Sequence, residues 1–131
     1  MEPITLDTGA LIGLEAKRTT ILKVIESARV RRVPIIAPAN AVAEWWRGRS
    51  DRRDYVRKMF LVQDIDEEIA RAAGEALAWL HRKRVNIDDR VTVDATIMAT
   101  AAVYGPNLHT GDIGDLSRFE PFFPTVRLFK V

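Results

Sequence analysis

Short apolar runs alternate with helix-like repeats along this chain, and that alternation limits its fold more than any other feature. The runs are too short for helices and are bounded by Pro, Asp or Gly, which is typical of buried strands. The predicted strands are 4–6, 33–37, 60–62, 107–110 and 126–129. The predicted helices are 8–14, 20–30, one capped by Asn40, 51–59, 66–84 and 91–104. Strands alternating with helices predict an α/β fold with a central, mostly parallel sheet.

The size and composition place the chain among ordinary globular proteins. Its 131 residues predict a single domain, 1–131, with one sizeable core. The absence of cysteine excludes disulfides and zinc–thiolate sites and is compatible with a cytoplasmic location, which we expect. Glu2 stands where a secretory signal would be basic, and no apolar stretch reaches the ~20 residues of a membrane span, so we expect no membrane contact.

Three carboxylates stand as the only charged residues of long, mainly apolar stretches. They are Asp7, Glu44 and Asp94. An ionised carboxylate in an apolar environment is costly unless a partner or a metal offsets the cost, so we expect all three to meet around a divalent cation. Asp112 joins them because, like Asp7, it directly follows a predicted strand, and ligands bind beyond the carboxyl ends of parallel strands. Asp115 is a candidate fifth ligand.

Oxygen ligands without cysteine or a well-placed histidine select Mg²⁺, with Mn²⁺ as the alternative, over zinc. The number of acids permits one ion or two. Two ions about 4 Å apart can hold the attacking water and the leaving oxygen of a phosphodiester in line. Metal-assisted phosphodiester hydrolysis therefore suits this set of residues best, and it needs no Ser, Cys or His nucleophile.

Each acid also has an explanation that requires no ligand. These explanations are helix capping for Asp7, an ion pair with Arg47 for Glu44, a helix-start position for Asp94 and a turn for Asp112 and Asp115. The four explanations would all have to hold at once for the acids to be incidental. The histidines, His81 and His109, have no nearby triad partner and are expected to be structural.

A cluster of basic residues follows the third predicted helix and favours a polyanionic partner such as nucleic acid. A solvated helix face with salt bridges explains such a run equally well. The candidate RNA-binding residues are Arg47, Arg49, Arg52, Arg53 and, further along, Arg118. For the adjacent Trp45 and Trp46 we expect core packing of both rings; the alternative is that Trp46 lies nearer the surface, where it could stack on a base or meet a partner.

The sequence resembles the PIN-domain ribonucleases, specifically the VapC-type toxins of toxin–antitoxin operons, over its whole length. Order, spacing and total length carry the resemblance more than any single motif. The matching segments are Leu6-Asp7-Thr8, Ala43-Glu44-Trp45, Val93-Asp94-Ala95 with Ile97 and Ala99, and Leu108-His109-Thr110-Gly111-Asp112 followed by Asp115-Leu116.

The resemblance implies a PIN-like three-layer α/β/α sandwich and a Mg²⁺-dependent endoribonuclease. Its acidic quartet would be Asp7, Glu44, Asp94 and Asp112, with Thr8 and Thr110 supporting. It further implies an RNA substrate such as tRNA or another structured RNA, a homodimer, and a VapB-type antitoxin that blocks the site. Gly111 stands where relatives often carry arginine, so a phosphate contact would fall to Arg118 or to the basic cluster.

Two other classes of protein share parts of this pattern. Asp7-Thr8-Gly9 matches the Asp-Thr-Gly element of aspartic proteases, but that fold is all-β and the helical spacing over 66–84 contradicts it. An aspartyl phosphatase would need a second Asp at position 9, where glycine stands. A non-catalytic RNA-binding or signalling α/β module with an acidic cation pocket remains the alternative.

Overall fold

The computed structural model describes residues 2–47 and 51–131, with backbone alone at 51 and 52. The strands are β1 (Ile4–Leu6), β2 (Ile35–Pro38), β3 (Leu61–Gln63), β4 (Asn107–Thr110) and β5 (Arg127–Lys130). The helices are α1 (Thr8–Glu15), α2 (Thr19–Val30), α3 (Ala39–Trp46), α4 (Asp51–Arg57), α5 (Glu67–Arg82), α6 (Asp89–Tyr104) and α7 (Ile113–Ser117). The strands form one sheet in the order β3-β2-β1-β4-β5.

Every neighbouring pair of these strands is parallel, and the predicted α/β fold with a central parallel sheet is confirmed. From β1 the chain moves outward through β2 to β3, then returns to the other side of β1 to form β4 and β5. Right-handed crossovers in both directions place helices on both faces of the sheet. The strand order therefore reverses between β1 and β4, where the carboxyl ends of two strands open a crevice.

The central strands and α6 carry the core. All three residues of β1 are buried, whereas the edge strands β3 and β5 are partly exposed. Helix α6 packs along α5 and contacts β1, β2 and β4. Its residues from Ile97 to Ala101 are all buried, as expected for a helix that is apolar on nearly every side. The helices rule out the all-β aspartic-protease alternative. No helix in the described part of the chain is long and apolar enough to cross a membrane.

Local hydrogen bonds decide where the helices begin. Asp66, predicted as the first residue of the helix, instead caps α5, because its Oδ1 accepts from the Ile69 N–H at 2.8 Å. Helix α6 begins two residues earlier than predicted, since Asp88 caps it through the Val91 N–H at 2.9 Å. The predicted cap at Asn40 is wrong, because α3 begins at Ala39 and Asn40 lies inside it.

Candidate functional site

Asp7 leaves the end of β1 and enters the crevice between β1 and β4. It is 7% exposed. Its Oδ1 accepts from the Ala10 N–H at 2.9 Å and, across the crevice, from the Gly111 N–H at 3.4 Å. Burial raises the pKa of Asp7, while hydrogen bonds from Thr110, Ala10 and Gly111 oppose the rise. Asp7 is therefore both the cap of α1 and a carboxylate held in one orientation at the strand end.

Two glycines let the start of α1 and the end of β4 approach this closely. A Cβ atom at Gly9 would lie 2.8 Å from the Gly111 Cα, and a Cβ at Gly111 would lie 3.0 Å from the Gly9 Cα. Any larger side chain at position 111 would begin at the same backbone contact. Glycine at 111 is thus explained by packing against Gly9.

Asp112 and Thr110 belong to the other side of the crevice. The Thr110 hydroxyl accepts from the Asp112 N–H at 2.9 Å and also hydrogen bonds with Asp7. Asp112 Oδ1 accepts from the Gly114 N–H at 3.0 Å and so caps α7, a short helix where the sequence predicted only a turn. The buried Thr110 therefore connects the two acids that follow β1 and β4.

Glu44 approaches the crevice from α3. Its Oε1 accepts from the Thr8 hydroxyl at 2.9 Å. Arg47 does not pair with the carboxylate: its Nε donates to the Glu44 backbone carbonyl at 3.1 Å. Farther back, the Asn40 side-chain amide donates to the Thr96 hydroxyl on α6. Because Asn40 lies one turn before Glu44, this bond fixes the helix of Glu44 against α6.

Asp94 reaches the crevice from the second turn of α6, two residues before Thr96. Its Oδ2 accepts from Arg118 Nη2 at 3.0 Å. Burial raises the pKa of Asp94, and the hydrogen bond and positive charge of Arg118 oppose the rise. Arg118 is therefore a basic partner of Asp94 in space, although it is distant in sequence. Asp115 lies nearby, 3.7 Å from the Arg90 guanidinium.

All five acids line one cavity of about 630 Å³. Three helices, α3, α6 and α7, and the loops after β1 and β4 bring the five acids there, although they are spread over more than one hundred residues of sequence. The other charged residues that line the cavity are Arg18, Asp89 and Arg90, which the sequence did not single out. Arg18 immediately precedes α2, and Asp89 and Arg90 are the first residues of α6. Only the folded arrangement identifies these three as cavity residues.

The donor set fits a hard divalent cation in its chemistry, since it consists of carboxylate and hydroxyl oxygens. Within residues 2–47 and 51–131, however, no three acidic or histidine side chains lie close enough to hold an ion together. The reason is visible in the hydrogen bonds: Asp94 turns toward Arg118, Asp112 toward its own helix and Glu44 toward Thr8. The acids share a cavity without forming a closed ligand group.

The candidate RNA-binding residues fall in different environments. Arg47 is exposed, and Arg118 is bound to Asp94. Arg53 forms an ion pair with Glu15 at 2.8 Å and is largely buried, so it secures α4 to α1. Arg49 and the side chain of Arg52 lie outside the described residues. Trp45 is buried, as expected, whereas Trp46 is half-buried and packs against the edge of the core, with the two ring centroids 5.8 Å apart.

Solved structures share this architecture. The DNA-bound VapBC crystal structure from Salmonella typhimurium contains a chain with a TM-score of 0.73 and 19% identity, covering 99% of this chain and 98% of its own. A chain of VapBC2 from Rickettsia felis, bound to a promoter DNA fragment, has a TM-score of 0.73 and 17% identity, and the match covers 98% of both chains. A chain of a toxin–antitoxin complex from Klebsiella pneumoniae has a TM-score of 0.65 and 20% identity, and the match covers 98% of this chain and 99% of the other.

No protein-family model matches the sequence, and no curated protein matches it. At identities of 17–20%, the structural matches establish the fold over nearly the whole chain. The PIN-like α/β sandwich predicted from the sequence is confirmed: this chain has the fold of chains found in VapBC toxin–antitoxin complexes.

Proposed function

We propose that this protein is a Mg²⁺-dependent endoribonuclease and the toxic component of a VapBC-type toxin–antitoxin pair. The catalytic carboxylates would be Asp7, Glu44, Asp94 and Asp112, with Asp115 as a further ligand and Mn²⁺ as an alternative ion. The observation that carries this proposal is the convergence of all five acids on one cavity at the point where the strand order reverses. Ligands bind at such points in open α/β sheets.

In this proposal, some residues would orient the carboxylates and others would balance their charge. A bound Mg²⁺ would supply Lewis acidity and an activated water. Asp7 is held by several donors, and Thr8 and Thr110 orient Glu44 and Asp7. Arg118 neutralises Asp94 while no cation is present. The Arg118 contact thus offsets part of the repulsion among the carboxylates of the crevice, and Asp94 would be one of the residues that hold the ion.

The RNA would meet the crevice through its phosphates. Arg18 and Arg90 line the cavity and Arg47 is exposed next to Glu44, so cationic groups surround the acids. Guanidinium groups suit phosphate because they offer planar paired donors. We propose these three arginines as contacts for the scissile strand, in addition to Arg49 and Arg52.

The matched solved structures are complexes of toxins with antitoxins, which supports a VapB-type antitoxin as partner. We also propose a homodimer, to be checked by light scattering of the purified chain. Expression of the chain alone should arrest growth of the host, and Asp7→Asn or Asp94→Asn should relieve the arrest. If both variants were as toxic as the wild type, catalysis would not be the cause of the growth arrest.

The decisive experiment is an RNA cleavage assay. Purified protein is incubated with labelled tRNA and with other RNAs, in Mg²⁺ or in EDTA, alongside Asp7→Asn and Asp94→Asn. We expect cleavage with Mg²⁺, none with EDTA, and a loss of at least about 100-fold in each variant, since a catalytic metal stabilises several kcal/mol of transition-state charge.

The matched control is Asp64→Asn, which removes an exposed carboxylate outside the cavity. This variant should cleave like the wild type. Cleavage that survives both chelation and the two active-site substitutions would refute the proposal. Thermal melting of every variant separates a catalytic defect from a folding defect.

Two observations favour the non-catalytic alternative, an RNA-binding or signalling module with an acidic pocket. Arg118 already occupies Asp94, and the described acids form no ligand group. For such a module, RNA would bind without cleavage in Mg²⁺ or Mn²⁺. Retention of intact RNA on the wild-type protein in both ions would favour the module over the nuclease.

A further inference from the structure

A second cavity, of about 570 Å³, lies on one face of the sheet next to α2. It shares no lining residue with the acidic cavity. The parallel register pairs Asn107 with Arg127 and His109 with Phe129, so these four side chains form two rows on one face of β4 and β5. Its volume lies within the range of about 300–1,000 Å³ that is usual for small-molecule sites.

The stacked rings of His109 and Phe129 form the aromatic platform of this cavity. The rings of His109 and Phe129 are stacked, with centroids 5.0 Å apart and planes inclined by 21°. Phe129 is 43% exposed, whereas His109 is 9% exposed. Burial lowers the pKa of His109, so the ring is neutral at pH 7 and stacks without a charge to solvate. A flat aromatic ring facing solvent next to a cavity is the kind of surface on which a nucleobase stacks.

The His109 ring also carries an unexplained polar atom. Its Nδ1 is buried and has no hydrogen-bond partner among the described residues. Buried polar atoms in folded proteins nearly always have a partner in the protein, a water or a ligand. The His109 ring, which lines the cavity, therefore has a hydrogen-bonding capacity that no described residue uses.

Positive charge surrounds the platform. The cavity is lined by Lys23 of α2, Arg31 directly after α2 and Arg127 of β5, and Glu2 is the one acid among its described lining residues. Asn107 adds an amide that can both donate and accept. Cations beside an aromatic surface and an amide match a ligand that combines an anionic group, a flat ring and polar ring edges.

We propose that this cavity binds a nucleotide unit, with the base on Phe129 and the phosphate between Lys23 and Arg127. The unit comes either as a free mononucleotide or as part of a single-stranded RNA. The site is separate from the acidic cavity, and its occupancy does not depend on the proposed nuclease activity.

The chain contains its own reporter for this site. It has two histidines, one in the cavity and one, His81, exposed on α5 and absent from the cavity lining. Proton NMR of the two imidazole rings, in EDTA so that no RNA is cleaved, therefore distinguishes local binding from a general effect. The probes are adenosine 5′-monophosphate, adenosine, inorganic phosphate and a six-nucleotide oligoadenylate.

We expect the monophosphate to shift the His109 resonances in a saturable manner and to leave those of His81 unchanged. Adenosine and phosphate alone should bind more weakly, because each makes half of the contacts. If the oligoadenylate binds more tightly than the monophosphate, the nucleotide unit comes from an RNA strand. If it binds equally or more weakly, the ligand is a free nucleotide.

Three variants test the contacts. Phe129→Leu should weaken binding by about fivefold or more, the lower end of what base stacking contributes. Arg127→Gln should weaken binding of the monophosphate but not of adenosine. Lys130→Gln is the matched control, because Lys130 lies on the same strand with its side chain on the opposite face. Phe129 and Arg127 are exposed on an edge strand, so both variants should fold, and the dispersion of the NMR spectrum verifies this.

Several results would overturn the proposal. These are a His109 shift as large with phosphate as with the monophosphate, equal movement of His81, equal weakening by Lys130→Gln, and the absence of saturation. Broadening of the His109 lines with protein concentration, without any nucleotide, would show instead that a second copy of the chain covers this face. None of these outcomes would bear on whether the acidic cavity cleaves RNA.

Discussion

The contact between Gly9 and Gly111 leads to the sharpest prediction about the acidic cavity. In Gly9→Ala the new Cβ would lie 2.8 Å from the Gly111 Cα and 2.9 Å from its N atom, both backbone atoms. Carbon atoms in van der Waals contact are about 3.5–4.0 Å apart. The start of α1 and the end of β4 must therefore separate by about 0.7 Å or more.

The expected cost follows from two opposing terms. Forcing an extra methyl group into a well-packed contact costs about 1–3 kcal/mol. Gly9 lies within α1, where alanine in place of glycine returns up to about 1 kcal/mol. The net loss in the free energy of unfolding should be about 1–2 kcal/mol. Because neither glycine has a positive φ, the cost comes from space and not from backbone conformation.

The same displacement should affect activity more than stability. Asp7 and Asp112 sit on the two segments that separate, and a misplacement of about 1 Å can cost about 100-fold in rate. The assays are urea unfolding and RNA cleavage in Mg²⁺. Gly74→Ala is the matched control: outside the backbone of its own helix, α5, no described atom would lie within 4 Å of the new methyl group, so it should stabilise the protein by about 0.5–1 kcal/mol. Wild-type stability and cleavage in Gly9→Ala would refute the reasoning.

Three further predictions concern charge in the same cavity. Burial raises the pKa of Asp7 and of Asp94. In EDTA, each of these two acids therefore contributes stability below its ordinary pKa of 3.8, and this contribution is lost as the pH rises through the folded-state pKa. Urea unfolding at several pH values should show a smaller loss of stability in Asp7→Asn than in the wild type. Mg²⁺ at ten times its dissociation constant should stabilise the wild type by about 1.4 kcal/mol in the same assay, but not Asp94→Asn. Arg118→Gln should bind Mg²⁺ roughly tenfold more tightly by calorimetry, because the ion no longer displaces a charge-assisted hydrogen bond of about 1.5–3 kcal/mol; unchanged affinity would exclude competition between the arginine and the ion.

Much of the architecture could be predicted from local patterns. The apolar run before Asp7 and the helical spacing after Asp66 both depend on near neighbours in sequence, and the corresponding elements were found within a few residues of their predicted bounds. One short helix, α7, was predicted as a turn, and further errors were at helix starts, where a single side chain decides. Asp88 caps α6, and Asn40 bonds to Thr96 instead of capping α3. Neither choice can be read from spacing, because each depends on which groups the fold brings near.

The candidate site shows the same division more sharply. That Asp7 and Asp112 approach each other follows from the parallel pairing of β1 with β4, since both acids come at strand ends. That Asp94 has a basic partner does not follow, because Arg118 is 24 residues away and reaches it only after α7 has turned the chain back. Isolation along the sequence identified carboxylates that the fold must accommodate, and the fold accommodates Asp94 with an internal cation. A carboxylate that already holds a guanidinium remains charged and oriented in the crevice. If the cavity binds Mg²⁺ as proposed, the ion and Arg118 would compete for Asp94, so a weaker Arg118 contact should give tighter Mg²⁺ binding.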